Sequence, residues 1–166
     1  VCNSFTNDAS LLFPATALRQ DADFSSDPTV RFLAASRPTF MAKDDLARLH
    51  FAAGFIAIVA VGDKPVAVRV RSTAFTAPSD PALAGDAGVA VDASVESEPI
   101  RALAPGGVLE QTLSPGDVLQ LRSAGLDTCT AGFRGDFCDP GASYDLTGTE
   151  ISADGPIEVI SGHDCS

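Results

Sequence analysis

Residues 54 to 75, GFIAIVAVGDKPVAVRVRSTAF, constrain the fold more than any other stretch of the chain. Ile56 and Ile58, then Val66, Val68 and Val70, recur at period two, the spacing that lines one face of a β-strand. Arg69 and Arg71 fall between them, on the opposite face. Gly62-Asp63-Lys64-Pro65 separates the two runs with turn chemistry, which predicts a hairpin. Pro65 opens the second strand, where a missing backbone donor costs least.

A similar phrase returns near the end as GTEISADGPIEVISG: a strand, an Ala-Asp-Gly-Pro turn, then Ile157, Val159 and Ser161 on one face. GDKPVAV and ADGPIEV read either as two copies of one unit or as two unrelated strands that each follow a proline. Between them, Val108, Leu109 and Leu113 and then Val118, Leu119 and Leu121 flank Ser114-Pro115-Gly116-Asp117. Pro followed by Gly suits the centre of a type II turn, and a third hairpin is expected there. Residues 76 to 87 and 127 to 145 are rich in Pro, Gly, Asp and Ser and read as loops. Asp44 to His50 fits one or two helical turns capped by Asp44, or an extended lead into the next strand. Strands at intervals of about ten residues, punctuated by Gly and Pro, predict an all-β fold: an antiparallel β-sandwich built from hairpins, with little helix. A chain of 166 residues is read as a single domain over 1–166.

Charge and cysteines then narrow the setting. With 22 acidic residues against 11 Lys and Arg, the formal net charge of -11 repels phosphate backbones, so no nucleic-acid partner is expected. No apolar run approaches the roughly 20 residues that a membrane-spanning helix needs, and no transmembrane segment is expected. The chain starts at Val1 with no basic and apolar leader, so any signal peptide is read as already removed or never part of this sequence. Cys2, Cys129, Cys138 and Cys165 form no CxxC pair, and an even count without metal spacing favours two disulfides in an oxidising compartment. Cys129 with Cys138 is the closer pair, across a Gly- and Asp-rich loop, which leaves Cys2 with Cys165.

The final stretch, IEVISGHDCS, places Ser161, His163, Asp164 and Cys165 within five positions. These are the residue types of a nucleophilic site, and His163 with Cys165, joined by His50 or another Cys, also suits Zn²⁺. Neither a helix-opening elbow nor an orienting third group accompanies them, so the stretch is read as the end of a core strand whose His and Cys serve structure. Glu96, Glu98, Glu110, Glu150 and Glu158 could supply a glycosidase pair, but the chain has no Trp and one Tyr with which to grip sugar rings. Asp136, Asp139 and Asp145 crowd one loop with Gly135 and Gly141, the best place in the chain for Ca²⁺, but they match no EF-hand spacing and a plain solvated loop is the preferred reading. No other cofactor is expected.

FTNDASLLFPATAL, GFIAIVAVGDKPVAVRV, LSPGDVLQL and YDLTGTEISADGPIEVISGHDC occur in that order across nearly the whole chain. Together they resemble the IgGFc-binding-protein N-terminal domain family, in particular its secreted, bacterial members of the myxobacterial type. The most distinctive part is the DLTGT phrase, Asp145 to Thr149, followed by P-[IV]-x-V-x-S-G-H-x-C. The resemblance implies a β-rich extracellular or cell-surface protein that binds or adheres and has no enzyme activity. It carries over no catalytic residues. Family domains run beyond the final cysteine, so it also implies that the chain is a piece of a longer domain. The expected partner is an unidentified protein or glycan ligand, with a structural subunit that self-associates through edge strands as the alternative, and a hydrolase behind both.

Overall fold

The computed structural model describes residues 29–43, 49–79, 100–126, 128–129 and 132–164. Within them the chain runs β1 (Val30–Leu33), β2 (Phe40–Lys43), β3 (Leu49–Ala52), β4 (Gly54–Ala60), β5 (Val66–Arg71), β6 (Val108–Leu113), β7 (Val118–Arg122), β8 (Phe137–Cys138), β9 (Glu150–Ala153) and β10 (Ile157–His163), with one 3₁₀ turn at Ala142–Tyr144. Every pairing is antiparallel. A four-stranded sheet has the order β1-β9-β5-β6, a three-stranded sheet the order β10-β4-β7, and a second, smaller three-stranded sheet the order β3-β2-β8.

The alternation seen in sequence sets which side of each strand is buried. Gly54, Ile56, Ile58 and Ala60 of β4 are buried, and the residues between them are half-buried. On β5, Val66, Val68 and Val70 are buried while Ala67, Arg69 and Arg71 are exposed. These side chains join Leu113, Leu119, Leu121, Ile151, Ala153 and Ile157 in one core between the four-stranded sheet and the β10-β4-β7 sheet. Hiding a side chain such as Ile58 from water contributes about 1.5 to 3 kcal/mol, so this shared layer holds the two sheets together.

The three turns fall where the sequence places them, but they do not close hairpins. β4 and β5, β6 and β7, and β9 and β10 each belong to opposite sheets, so the turns at 61–65, 114–117 and 154–156 are arches that cross the sandwich. Ile58 and Val68 both point into the core, which a crossing between facing sheets allows, and strong pairings with distant strands then take up the backbone groups. The arches gather at one end: Val61 N donates to Pro156 O at 3.2 Å, Gly116 N to Ala60 O at 2.9 Å, and Ala60 N to Asp117 O at 3.1 Å. Gly116, at φ 87°, takes the left-handed backbone of a type II turn, closed by Asp117 N to Ser114 O at 2.9 Å. The repeated phrase has a structural counterpart, because the β4–β5 and β9–β10 arches lie against each other, with β4 paired to β10 and β9 to β5.

Where regular pairing stops, buried hydroxyls take over the backbone's hydrogen bonds. Thr76 Oγ1 accepts from Leu103 N at 2.8 Å, and Thr149 Oγ1 accepts from Thr73 N at 3.2 Å. Ser123, just past β7, accepts from Gly54 N at 2.9 Å and shares a proton with Thr39 at 2.5 Å between the oxygens. Thr39 and Ser123 are both fully buried, so these bonds are shielded from water.

The Asp44–His50 segment resolves in part: residues 44–48 lie outside the described residues, and Leu49 and His50 belong to β3, so the end of the stretch is extended rather than helical. β2 and β3 pair with each other, as neighbours in sequence, in the small sheet.

Candidate functional site

At the end of β10 the Ser-His-Asp-Cys cluster is built into the fold. His163 is 5% exposed, pairs by backbone register with Gly54, and stacks on Phe40 at 5.4 Å between ring centroids and 15° between planes. Phe40 also meets Phe137 of β8 at 6.4 Å, so the imidazole joins the small sheet to the β10-β4-β7 sheet. Burial lowers the His163 pKa below its usual 6.5, and this outweighs the opposing pull of the Pro38 backbone and the Asp164 charge. Asp164 is engaged too: its carboxylate accepts from Ala53 N at 3.2 Å and pairs with Arg122, while its own N–H donates to Ala53 O at 2.9 Å. Ser161 sits opposite Ile56 on the inward side of β10. Cys165 lies outside the described residues. His50, offered as a further metal ligand, is exposed on β3.

The loop carboxylates do not converge. Asp139 Oδ1 accepts from Gly141 N at 2.8 Å and Asp145 Oδ1 from Thr147 N at 2.9 Å, so each closes a local turn of its own backbone. Among the described residues no three His, Cys, Asp or Glu side chains come together as a metal site, Asp136, Asp139 and Asp145 included. The nearby Cys129–Cys138 disulfide is formed, with 6.0 Å between Cα atoms, and anchors the loop to β8. The Cys2–Cys165 pairing lies outside the described residues. The carboxylates considered for glycoside chemistry are split: Glu110 and Glu150 lie on the outer face of the four-stranded sheet, Glu158 is exposed on β10, and Glu96 and Glu98 lie outside the described residues.

That outer face also carries an open concavity among its described residues. Strand register lays out two adjacent rows across it: Arg31, Ser152, Arg69 and Glu110, then Leu33, Glu150, Arg71 and Val108. Neighbouring strands are about 4.8 Å apart, so Arg31 and Arg69 stand about 10 Å apart with the short Ser152 between them. The long side chains rise on either side of the serine and leave a concavity of about 300 Å³, lined by Arg31, Arg69, Arg71, Glu150 and Ser152 with Leu33 at its edge. Arg69 Nε donates to Glu110 Oε1 at 3.2 Å, an exposed ion pair between β5 and β6. Among the described residues Arg71 makes no ion pair. The three guanidiniums of Arg31, Arg69 and Arg71 share this face with the carboxylates of Glu110 and Glu150.

Alternation alone exposes Arg69 and Arg71, and the sequence shows that much. Arg31 and Ser152 are not legible as parts of the same site, because they lie about 120 residues apart and meet only through the β1-β9-β5 order. The local signal is slight: VRFL alternates with Arg31 and Leu33 outward, and EISA with Glu150 and Ser152 outward.

Neither the curated proteins nor the solved structures contain a match to this chain. The family comparison does find one: a family model described as IgGFc binding protein matches residues 8–166. That range takes in every described strand, both arches of the repeated phrase and the arginine-lined face, and the chain belongs to the IgGFc binding protein family.

Proposed function

We propose that the chain is an extracellular binding module that presents the outer face of its four-stranded sheet to a macromolecular ligand and performs no catalysis. The observation that carries this reading is the concavity around Ser152, where exposed arginines stand on a rigid sheet, backed by the shared core. Membership of a binding-type family supports it, and so does the Cys129–Cys138 disulfide, which belongs to an oxidising compartment. The His163 cluster supports it from another side: its imidazole, carboxylate and backbone all serve the junction between sheets.

The test immobilises the chain and passes a surface extract of the producing organism over it, then measures rebinding of each retained component in purified form. A retained component that rebinds saturably supports the reading, and retention no greater than on a blocked surface overturns it. The same protein is assayed on ester, peptide and glycoside substrates; turnover that His163→Ala abolishes would replace the binding module with a hydrolase.

A second reading, a structural subunit of a surface assembly, rests on the opposite side of the sandwich. There Val118 and Ile160 are exposed beside half-buried Phe55 and Val59, between the edge strands β10 and β7. Light scattering behind size-exclusion chromatography separates the two: a monomer at all concentrations favours the binding module, and concentration-dependent polymers favour the assembly.

A further inference from the structure

We propose that the chain pairs with a second copy of itself along the outer edge of β10, which joins the two β10-β4-β7 sheets into one antiparallel sheet related by a two-fold axis at Val159. This goes beyond the binding-module reading and does not depend on it.

The backbone of β10 decides which groups are on offer. At the two ends of its ladder with β4, Val61 N donates to Pro156 O at 3.2 Å and Asp164 N donates to Ala53 O at 2.9 Å. Antiparallel bonds recur at every second residue, so Glu158, Ile160 and Gly162 carry the ladder between those ends. Ile157, Val159 and Ser161 then turn their N–H and C=O groups to the other side. Among the described residues no strand pairs there. The seven residues of β10 include no Lys, Arg or Pro of the kind that guards an open edge. The opposite edge of this sheet is already shortened, because Ala77 N donates to Arg122 O of β7 at 2.9 Å.

Face and charge then select the occupant. Directly opposed residues of an antiparallel pair lie on the same face of a sheet. The outward-bonding residues of β10 are those whose side chains point into the sandwich, with Ile157 buried and Val159 packed on the core. A strand that joins antiparallel must therefore also bond through its inward-facing residues. β7 bonds outward through Val118, Gln120 and Arg122, whose side chains are exposed, so an antiparallel β7 would turn one sheet inside out. A second β10 meets the condition by identity. Centring on Val159 pairs Val159 with itself, Ile157 with Ser161 of the second copy, and Glu158 with Ile160 of the second copy. Centring on Glu158 would set two carboxylates against each other. Centring on Ile160 would bring Ile157 against His163, where Phe40 stacks and Ser36 Oγ donates to Gly162 O at 3.0 Å. The Val159 register avoids both conflicts. It also lays Ile160, 49% exposed, beside the aliphatic stem of Glu158 and near Phe55, whose ring lies over Gly162.

The test is sedimentation equilibrium of the full chain from about 2 to about 200 µM, which reads association by mass action. The mass is expected to rise from one chain to two and stop there. Association should be tighter at about 500 mM than at about 50 mM salt, because two chains of net charge -11 repel and salt screens them. Ile160→Glu sets like charges opposite each other on both sides of the axis and is expected to weaken association about tenfold or more. Adding Glu158→Lys makes those opposed pairs attractive and should restore association, which loss of an apolar patch alone would not allow. Val118→Glu on β7 should leave association unchanged. Each substitution replaces an exposed side chain, so thermal melts at low concentration should overlay the parent. A parent that stays a single chain throughout overturns the inference and leaves the binding-module reading standing. Growth past two chains overturns it in favour of the surface assembly. Dimers indifferent to Ile160→Glu, or not restored by Glu158→Lys, overturn it as well.

Discussion

Replacing Ser123 with Ala removes one oxygen and tests how the sandwich is closed where β7 ends. That oxygen accepts from Gly54 N at 2.9 Å and shares a proton with Thr39 Oγ1 at 2.5 Å. Thr39 keeps a second partner, Ala124 O at 3.2 Å, and so loses part of its bonding. Gly54 N loses the Ser123 hydroxyl as its acceptor at a buried position. An unsatisfied buried donor costs about 1 to 3 kcal/mol, and a lost bond between hydroxyls about 1 more, so Ser123→Ala should destabilise by about 2 to 4 kcal/mol. With a urea slope of about 2 kcal/mol per molar, the unfolding midpoint should fall by about 1 to 2 M with the slope unchanged. Thr112→Ala, on the outer face of β6, is the control and should shift the midpoint by no more than about 0.3 M. The assay is urea unfolding followed by circular dichroism. A Ser123→Ala midpoint as close to the parent as the control's would refute the claim that the hydroxyl substitutes for strand pairing.

Three further outcomes follow from the same structure. Ile58→Asp buries a carboxylate in the shared core and should cost about 4 kcal/mol or more, while Arg71→Asp on the exposed side of β5 should cost less than about 1; equal melting temperatures for the two would mean that the strand faces are reversed. His163 is held below its usual pKa of 6.5, so the folded protein binds its proton less readily than the unfolded chain. Its share of stability is therefore intact above about pH 6.5 and is lost as pH falls from there toward the lowered folded value; His163→Phe, which keeps a ring against Phe40, should flatten that part of a urea-midpoint profile, and superimposable profiles would count against the burial account. Cysteines placed at Ala57 and Ile160, or at Ala67 and Thr112, sit opposite each other across β4–β10 and β5–β6 and should cross-link through a short dithiol-reactive linker, read as a cyclised peptide by mass spectrometry; failure of both pairs with accessible thiols would restore the hairpin arrangement.

The comparison of sequence with structure turns on which distances the information spans. The period-two runs at Ile56, Ile58 and Val66 to Val70 announce their strands and buried faces, because a strand's orientation is decided within four or five residues. The Pro-Gly turn at 115–116 is legible for the same reason. Whether such a turn joins two neighbours in one sheet or crosses between sheets depends on β9 and β10 competing for β5 and β4, and nothing local to residues 61–65 records that competition. β2 and β8 escape notice because four and two residues are too few for periodicity to show. The binding face follows the same rule: Arg69 and Arg71 can be placed outward from their own strand, while Ser152 gains meaning only when β9 is set between β1 and β5.

The position of β9 and β10 also dictates when this molecule can fold. As synthesis proceeds, β4 to β7 leave the ribosome with few neighbours to pair with locally, since β5 waits about forty residues for β6 and β4 about sixty for β7. β9 then has to enter the middle of one sheet, and β10 completes the other, only after residue 163 has been made. Structures built on such distant pairings fold in milliseconds to seconds rather than microseconds, and the open strand edges are exposed to aggregation throughout.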